Sequence, residues 1–208
     1  MKICCISDTH MGHNELKMPE ADVLVHSGDF LGVSNEKELI LFNFWLSNLN
    51  YEKIFVVPGN HDGEFEKNFH YAESLLSNAI VLCDKEYVHD GIKFYGSPWT
   101  RTFYDWWFMK DTPDLIPHWK NIPSDTDVLI THSPPHLILD RVNGKDKNAG
   151  CAELRQEVIT RIKPKLHIFG HLHMDGGKYI EQDGITFCNA SMNNDNYLIA
   201  RDPMVFEI

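Results

Sequence analysis

Five short apolar runs in this chain each end abruptly in a polar cluster. Residues 3–6 lead into Ser7-Asp8-Thr9-His10, and residues 23–25 into His26-Ser27-Gly28-Asp29. Residues 54–57 lead into Pro58-Gly59-Asn60-His61-Asp62, and residues 128–130 into Thr131-His132-Ser133-Pro134-Pro135. The last run, residues 166–169, leads into Gly170-His171-Leu172-His173. Runs of three or four apolar residues, rich in Val and Ile and stopped by Gly or Pro, predict strands buried on both faces. Such strands imply a layered α/β fold, in which ligands gather beyond the carboxyl ends of the strands. The five polar clusters are therefore expected to converge on one rim.

Helical spacing fills the intervals. Asn35 followed by Glu38 has the form of a capping box, and Leu39, Phe42, Trp45, Leu46 and Leu49 then recur at the helical period. From Cys151, the positions Leu154, Val158 and Ile162 trace a second helix face, stopped by Lys163-Pro164. Residues 70–79 predict a further helix. Phe94-Tyr95 and residues 178–182, 185–188 and 204–207 read as strands, with a turn at Asp183-Gly184. Residues 97–123 are aromatic, contain prolines and show no period. No linker, repeat or low-complexity tract interrupts the chain, so residues 1–208 are expected to form one domain.

Charge and cysteine usage narrow the function classes. With 19 basic against 30 acidic residues the formal charge is −11, which argues against a protein that grips duplex nucleic acid by neutralising phosphates. No apolar run approaches the roughly 18 residues of a membrane span, and the opening residues are too short an apolar stretch for a secretory signal. Five scattered cysteines with no Cys-x-x-Cys pair suggest neither a disulfide framework nor a thiolate zinc site. The expectation is a soluble cytoplasmic protein.

The clusters at the five strand ends carry the chemistry. Asp8, His10, Asp29, Asn60, His132, His171 and His173 offer imidazoles, carboxylates and one amide oxygen, a donor set suited to Mn, Fe, Ni, Co or Zn. If Asp29 bridges two ions, Asp8, His10, Asp29 and His173 hold one, while Asp29, Asn60, His132 and His171 hold the other. Positions then remain open for water and substrate oxygens, as a catalytic site requires. Two divalent ions would bring the formal charge from −11 to −7 and give an acidic chain a locally positive site. Turn chemistry accounts for Gly59-Asn60 but not for the His61-Asp62 that follows. In Gly170-His171-Leu172-His173, an extended segment would place both imidazoles on one side.

The order Asp-x-His, Gly-Asp, Gly-Asn-His-Asp, His-x-Pro-Pro, Gly-His-x-His, spanning residues 8 to 173, resembles the calcineurin-like metallophosphoesterases. The branch it resembles more closely is that of the metallophosphoesterase-domain-containing proteins. That likeness rests on Gly96-Ser97-Pro98-Trp99, Asp105-Trp106, Thr131 to Pro135, the Gly150-Cys151-Ala152-Glu153-Leu154 run, Lys165 to Gly170, and Asn189-Ala190-Ser191. The resemblance implies an α-β-β-α sandwich of two mixed sheets flanked by helices, with a binuclear metal centre at the strand ends, and the division of the seven ligands between two ions given above follows that family's pattern. Manganese is the expected ion. Some members of the branch lack a ligating histidine in the last motif, whereas His171 and His173 are both present here, which favours an active enzyme. The Gly-Asp-x-x-Asp-Arg-Gly of protein Ser/Thr phosphatases is absent, since Gly28-Asp29 continues into Phe30-Leu31-Gly32. A DNA-repair nuclease would need further DNA-binding surface that neither length nor charge offers.

Mechanistically, uncatalysed phosphate-ester hydrolysis demands barrier lowering of roughly 20 kcal/mol in the slowest cases. One general acid supplies about 10²–10⁴-fold, so two ions are asked to do the larger part. His61 is the candidate to protonate the leaving oxygen or stabilise the transition state. Asp62 either orients His61 or serves as a turn residue. Only five arginines are present, Arg101, Arg141, Arg155, Arg161 and Arg201, few cations for a dianionic monoester. A small singly charged diester is therefore favoured, and the resemblance points towards cyclic nucleotides. The alternatives are a phosphomonoesterase and a non-catalytic scaffold. The aromatics of residues 99–108 read mostly as core, with a stacking wall for a nucleobase as the alternative. His26 and His167 read as hydrogen-bonded groups within strands. His13 and His136 read as exposed loop residues, and His70, His89 and His118 carry no signal.

Overall fold

The computed structural model describes residues 1–142 and 147–208. Strands β1 (Lys2–Ile6), β2 (Val23–His26) and β3 (Lys53–Val56) are the first three of the apolar runs. Helix α1 (Glu36–Leu46) lies between β2 and β3, and α2 (Glu64–Lys67) and α3 (Phe69–Leu75) follow β3. The chain continues through β4 (Ile80–Val81), β5 (Lys85–His89), β6 (Ile92–Ser97), β7 (Thr100–Arg101) and β8 (Met109–Lys110) to α4 (Thr112–Asn121). The remaining elements are β9 (Val128–Thr131), α5 (Ala152–Glu157), β10 (Leu166–Phe169), β11 (Lys178–Gln182), β12 (Ile185–Asn189) and β13 (Met204–Glu207).

Two mixed sheets result. The first has the order β13-β1-β2-β3-β4, parallel except for the β13 edge. The second has the order β11-β12-β10-β9-β6-β5, with β6, β9, β10 and β12 parallel and an antiparallel strand at each edge. Strand alternation divides the apolar side chains between layers. Ile3, Cys5, Val23, Val25 and Phe55 face the second sheet and meet Val128, Ile130, Leu166 and Ile168. Cys4, Ile6, Leu24, Ile54 and Val56 face the other way, onto Leu39, Phe42 and Leu46 of α1. On the far side Leu129, Phe169 and Phe187 meet Leu115 and Trp119 of α4 and Leu154 of α5. Three apolar layers therefore separate four structural ones, helix, sheet, sheet and helix, and the expected sandwich is the observed fold.

The helix boundaries follow from local chemistry. Asn35 caps α1 by accepting the Glu38 N–H at 3.0 Å. Glu38 completes the expected box differently: its carboxylate reaches past the cap to the N–H groups of Gly32 and Val33, at 2.9 and 3.0 Å. The helix expected from Cys151 is α-helical only to Glu157. It continues as a π-helical turn over Val158–Ile162, and Lys163 ends it at φ 50°. The helix expected over 70–79 stops at Leu75. Residues 97–123, without readable period, contain β7, β8 and α4, whose Pro113 and Pro117 break the pattern that would have announced a helix. Among the described residues no helix is long and apolar enough to cross a membrane.

Phe42 stacks on Phe30 at 4.5 Å and stands edge-on to His26. Phe42→Ala is expected to lower unfolding free energy by about 3–5 kcal/mol, and Asn35→Ala by about 1 kcal/mol, in urea titrations followed by circular dichroism.

Candidate metal centre

All five apolar runs deliver their polar clusters to one rim. Three come from the first sheet, at the ends of β1, β2 and β3, and two from the second, at the ends of β9 and β10. Asp8, Asp29, Asn60 and His132 are buried there, and the side chains of His10 and His173 are almost so. The ligating atoms of Asp8, His10 and His173 lie within 4.8 Å of one another, as do those of Asp29, His132 and His171. A third such group joins His10, Asp29 and His61.

Spacing distinguishes this arrangement from ordinary ion pairing. His132 Nε2 stands 3.0 Å from Asn60 Oδ1 and 3.4 Å from Asp29 Oδ1. His173 Nε2 is 3.5 Å from Asp8 Oδ1, and His10 Nε2 is 3.8 Å from Asp29 Oδ2. With metal–ligand bonds of about 2.0–2.2 Å, atoms sharing one ion sit about 3–3.5 Å apart, so most of these distances match the edges of a coordination shell. The two oxygens of Asp29 face different donors, Oδ1 towards His132 and Oδ2 towards His10.

The imidazoles are aimed by their other nitrogens. His132 Nδ1 donates to the Ser27 carbonyl at 2.9 Å, and His173 Nδ1 to the Asn194 carbonyl at 3.1 Å. A carbonyl only accepts, so each Nδ1 carries the proton and each Nε2 presents a lone pair to the site. Both ring nitrogens of His10 are buried without a hydrogen-bond partner. An unpartnered buried imidazole among two carboxylates is costly unless a cation completes it. The donor set and these unsatisfied atoms fit divalent metal ions.

Charge in the metal-free protein is shared between carboxylates and imidazoles. Burial pushes His132 down, yet Asp29 outweighs it and carries the ring up to about 9. His173 is raised despite its burial, by Asp8. Burial would raise Asp8 and Asp29, but neighbouring histidines, His173 for Asp8 and His132 for Asp29, hold both below the usual carboxylate range. His10 falls to about 4 and His171 to about 3, chiefly by burial. A metal ion at these Nε2 atoms would compete with protons, so binding is expected to weaken as pH falls.

The Asp62 carboxylate is taken up by backbone groups rather than by the His61 ring. It accepts the N–H groups of Gly59 at 2.7 Å, Asp29 at 2.8 Å and Leu31 at 2.9 Å, while Asp29 Oδ1 accepts the His61 N–H at 2.7 Å. Asp62 thus braces the β2 loop against the β3 loop, which is the turn-residue alternative. His61 is held instead by its Nδ1–H, which donates to the Gly32 carbonyl at 2.8 Å and turns Nε2 away from that bond. His171 and His173 also depart from expectation. His171 adopts φ 67° and His173 starts a 3-10 turn, so they share no strand face, although they do join the two different donor groups expected of them.

Around the ligands, His26 is fixed by Thr9 Oγ1 and His167 by Thr131 Oγ1, both at 2.9 Å, as hydrogen-bonded strand residues. His13, expected in an exposed loop, is buried between Phe42 and Trp45. His118, which carried no signal, binds Asp84 at 2.6 Å. The segment around β7 divides its aromatics. Trp99, Trp107 and Phe108 pack into the apolar layers, whereas Phe103, Tyr104 and Trp106 line a cleft of about 690 Å³ above the ligands. Tyr197 lines the same cleft with its ring centroid 4.9 Å from that of His10. Nothing in the sequence pattern marked the carbonyls of Ser27, Gly32 and Asn194, because every residue carries one.

The glycines of the clusters have a steric reason. A Cβ at Gly170 would collide with the Asp8 carboxylate and the Ser7 hydroxyl, and one at Gly59 with Asp29 and His132. Each glycine therefore makes room for ligands brought from a different strand. Wild-type protein is expected to gain thermal stability as divalent ion is added, by mass action. Gly170→Ala should abolish that gain while changing the far-ultraviolet spectrum little, measured by thermal melts across a Mn²⁺ titration.

The sequence model of the calcineurin-like phosphoesterases matches residues 1–175. The chain is 37% identical to human metallophosphoesterase domain-containing protein 1, covering 100% of this chain and 71% of that protein. A UPF0046 protein of Caenorhabditis elegans is 36% identical, covering 100% of this chain and 81% of that one. Among solved structures, the phosphopantetheinyl hydrolase of Mycobacterium tuberculosis superimposes with a TM-score of 0.62 at 14% identity, over 94% of this chain and 90% of that one. The protein TT1561 of Thermus thermophilus gives 0.64 at 13%, over 92% and 90%. Identities this low speak to the fold alone.

Proposed function

This chain belongs to the calcineurin-like phosphoesterase family, and from that premise we propose that it is a phosphodiesterase with a binuclear metal centre, acting on small diesters of the cyclic-nucleotide class. The observation that carries the reading is the Asp29 carboxylate, whose two oxygens face His10 on one side and His132 on the other. With Asp8 and His173 beyond His10, and Asn60 and His171 beyond His132, one bridging residue joins two donor sets. When bound, two divalent ions supply positive charge to the phosphoryl oxygens and acidify an attacking water.

The chain's own residues do the rest. The Gly32 carbonyl holds the proton on His61 Nδ1, so the proton that His61 can give up is on Nε2. From there it passes to the leaving oxygen as the P–O bond breaks, a general-acid step worth about 10²–10⁴-fold. Asp62 keeps Asn60 and His61 in register with Asp29 through its three backbone N–H bonds. The ester's organic part is served by the cleft, whose size and exposed rings at Phe103 and Tyr104 suit a planar group. Cations for a second phosphate charge are scarce among the described residues. Of the five arginines, Arg155 lies on α5, Arg161 pairs with Glu157, Arg201 bonds backbone carbonyls, and Arg101 and Arg141 line the cleft, Arg141 with Asp175 as its ion-pair partner. That scarcity supports a diester over a monoester.

Protein loaded with Mn²⁺ is expected to hydrolyse bis(p-nitrophenyl) phosphate faster than p-nitrophenyl phosphate. The reverse order would favour a phosphomonoesterase, and no hydrolysis of either would sink the enzymatic reading. His61→Ala should lower kcat about 10²-fold or more on diphenyl phosphate, whose phenol leaves poorly, and much less on the nitrophenyl diester. Metal stoichiometry should be unchanged in that variant. Asn60→Ala should weaken metal binding, measured by calorimetry, more than it lowers the melting temperature of metal-free protein.

A further inference from the structure

His61 is held by one hydrogen bond, and one bond leaves a ring free to swing about it. The Nδ1–H bond to Gly32 fixes a single ring atom and leaves the tilt of the plane undetermined. Trp106 lies against the face of this ring. Its ring stacks on the His61 imidazole with centroids 4.3 Å apart and planes 29° from parallel. On another side the His10 ring meets His61 edge-on, at 4.5 Å and 83°.

Trp106 is itself held by its neighbours in the chain. Trp107 packs flat over Gly63, where an added Cβ would strike its indole, and Lys67 Nζ lies 4.9 Å above the same ring. The Phe108 N–H donates to Glu66 Oε2 at 2.6 Å. Residues 106, 107 and 108 thus meet residues 61, 63 and 66 in order along two adjacent segments. The aromatic segment after β7 and the loop after β3 form one clamped pair, with Trp106 at the end nearest the ligands and partly open to the cleft.

We propose that Trp106 is a positioning residue for His61, its indole face holding the imidazole in the plane from which Nε2 reaches the leaving oxygen. The proposal rests on the phosphodiesterase reading above and adds to it the part that decides how well the proton donor is aimed. A stacked aromatic contact of this kind contributes modest energy, but a small displacement of a catalytic group has a large effect on rate.

Two measurements test it, one independent of catalysis. In metal-free protein the His61 ring protons, assigned by comparison with His61→Asn, should be displaced upfield by the indole ring current in NMR spectra. Trp106→Leu should abolish the displacement, and Trp106→Phe should keep part of it. Ordinary His61 shifts in the wild type would overturn the proposal whatever the substrate. In kinetics, Trp106→Leu should lower kcat on diphenyl phosphate about tenfold with KM within about twofold, and should leave bis(p-nitrophenyl) phosphate within about threefold. Trp106→Phe should restore most of the loss. In a His61→Asn background, Trp106→Leu should have less than about a twofold effect, since the residue through which it acts is gone. A raised KM that persists in that background would mean that Trp106 binds substrate directly, and equal losses on both diesters would mean a general structural role; either overturns the proposal. An inactive wild type that still shows the ring-current displacement would overturn the reading of the reaction while leaving the His61 pose established.

Discussion

Two carboxylates sealed from water at the meeting of two sheets are the constraint that organises this molecule. Asp8 and Asp29 are buried, and a buried negative charge without partners costs several kcal/mol. Each is answered locally by a backbone N–H, from His171 for Asp8 and from His61 for Asp29, and more broadly by five surrounding imidazoles. The backbone is bent to make this possible. Asp8, His10, Asp29 and His171 all adopt positive φ, between 41° and 67°, a region that costs non-glycine residues about 1–3 kcal/mol in unfavourable cases. Such bends persist because rigid buried strands end immediately before them.

Much of this was legible, for a physical reason. Strands covered on both faces have near-continuous apolar sequences, so β1, β2, β3, β9 and β10 could be read directly, and the polar residues that interrupt them had nowhere to lie but the rim. The edge strands β4 and β5 and the short β7 and β8 have no such signature, being partly exposed or only two residues long. Helix α4 was hidden by its prolines. His13 was misplaced because a histidine in a glycine-containing turn looks like a loop residue, and its burial comes from Phe42 and Trp45 on a different element.

At the site, the residue types and their grouping into two donor sets were legible, and the hydrogen bonds that aim them were not. Asp62 follows His61 in the chain and invites pairing with it, yet its oxygens are taken by three backbone N–H groups. His171 and His173, two apart, suggest one face, but the bend at His171 sends them to different partners. The aromatic segment after β7 had to be divided residue by residue, since burial of Trp107 against Gly63 is what leaves Trp106 beside His61. Hydrogen bonds to backbone carbonyls, which settle the tautomers of His61, His132 and His173, leave no trace in side-chain identity.

The donors also straddle a seam. Asp8, Asp29 and Asn60 belong to one layer and His132, His171 and His173 to the other, stitched by His132 to Ser27, by the Met192 N–H to Ser7, and by the bridge between Ser7 and Ser191. A slip of the layers by a single residue, about 3.3 Å, would part the donors by more than a coordination bond. The sandwich therefore behaves as a vice whose jaws are aligned by the apolar filling between them. Interlayer side chains such as Cys5 and Cys188, which are not among the donors, are part of the alignment of that grip.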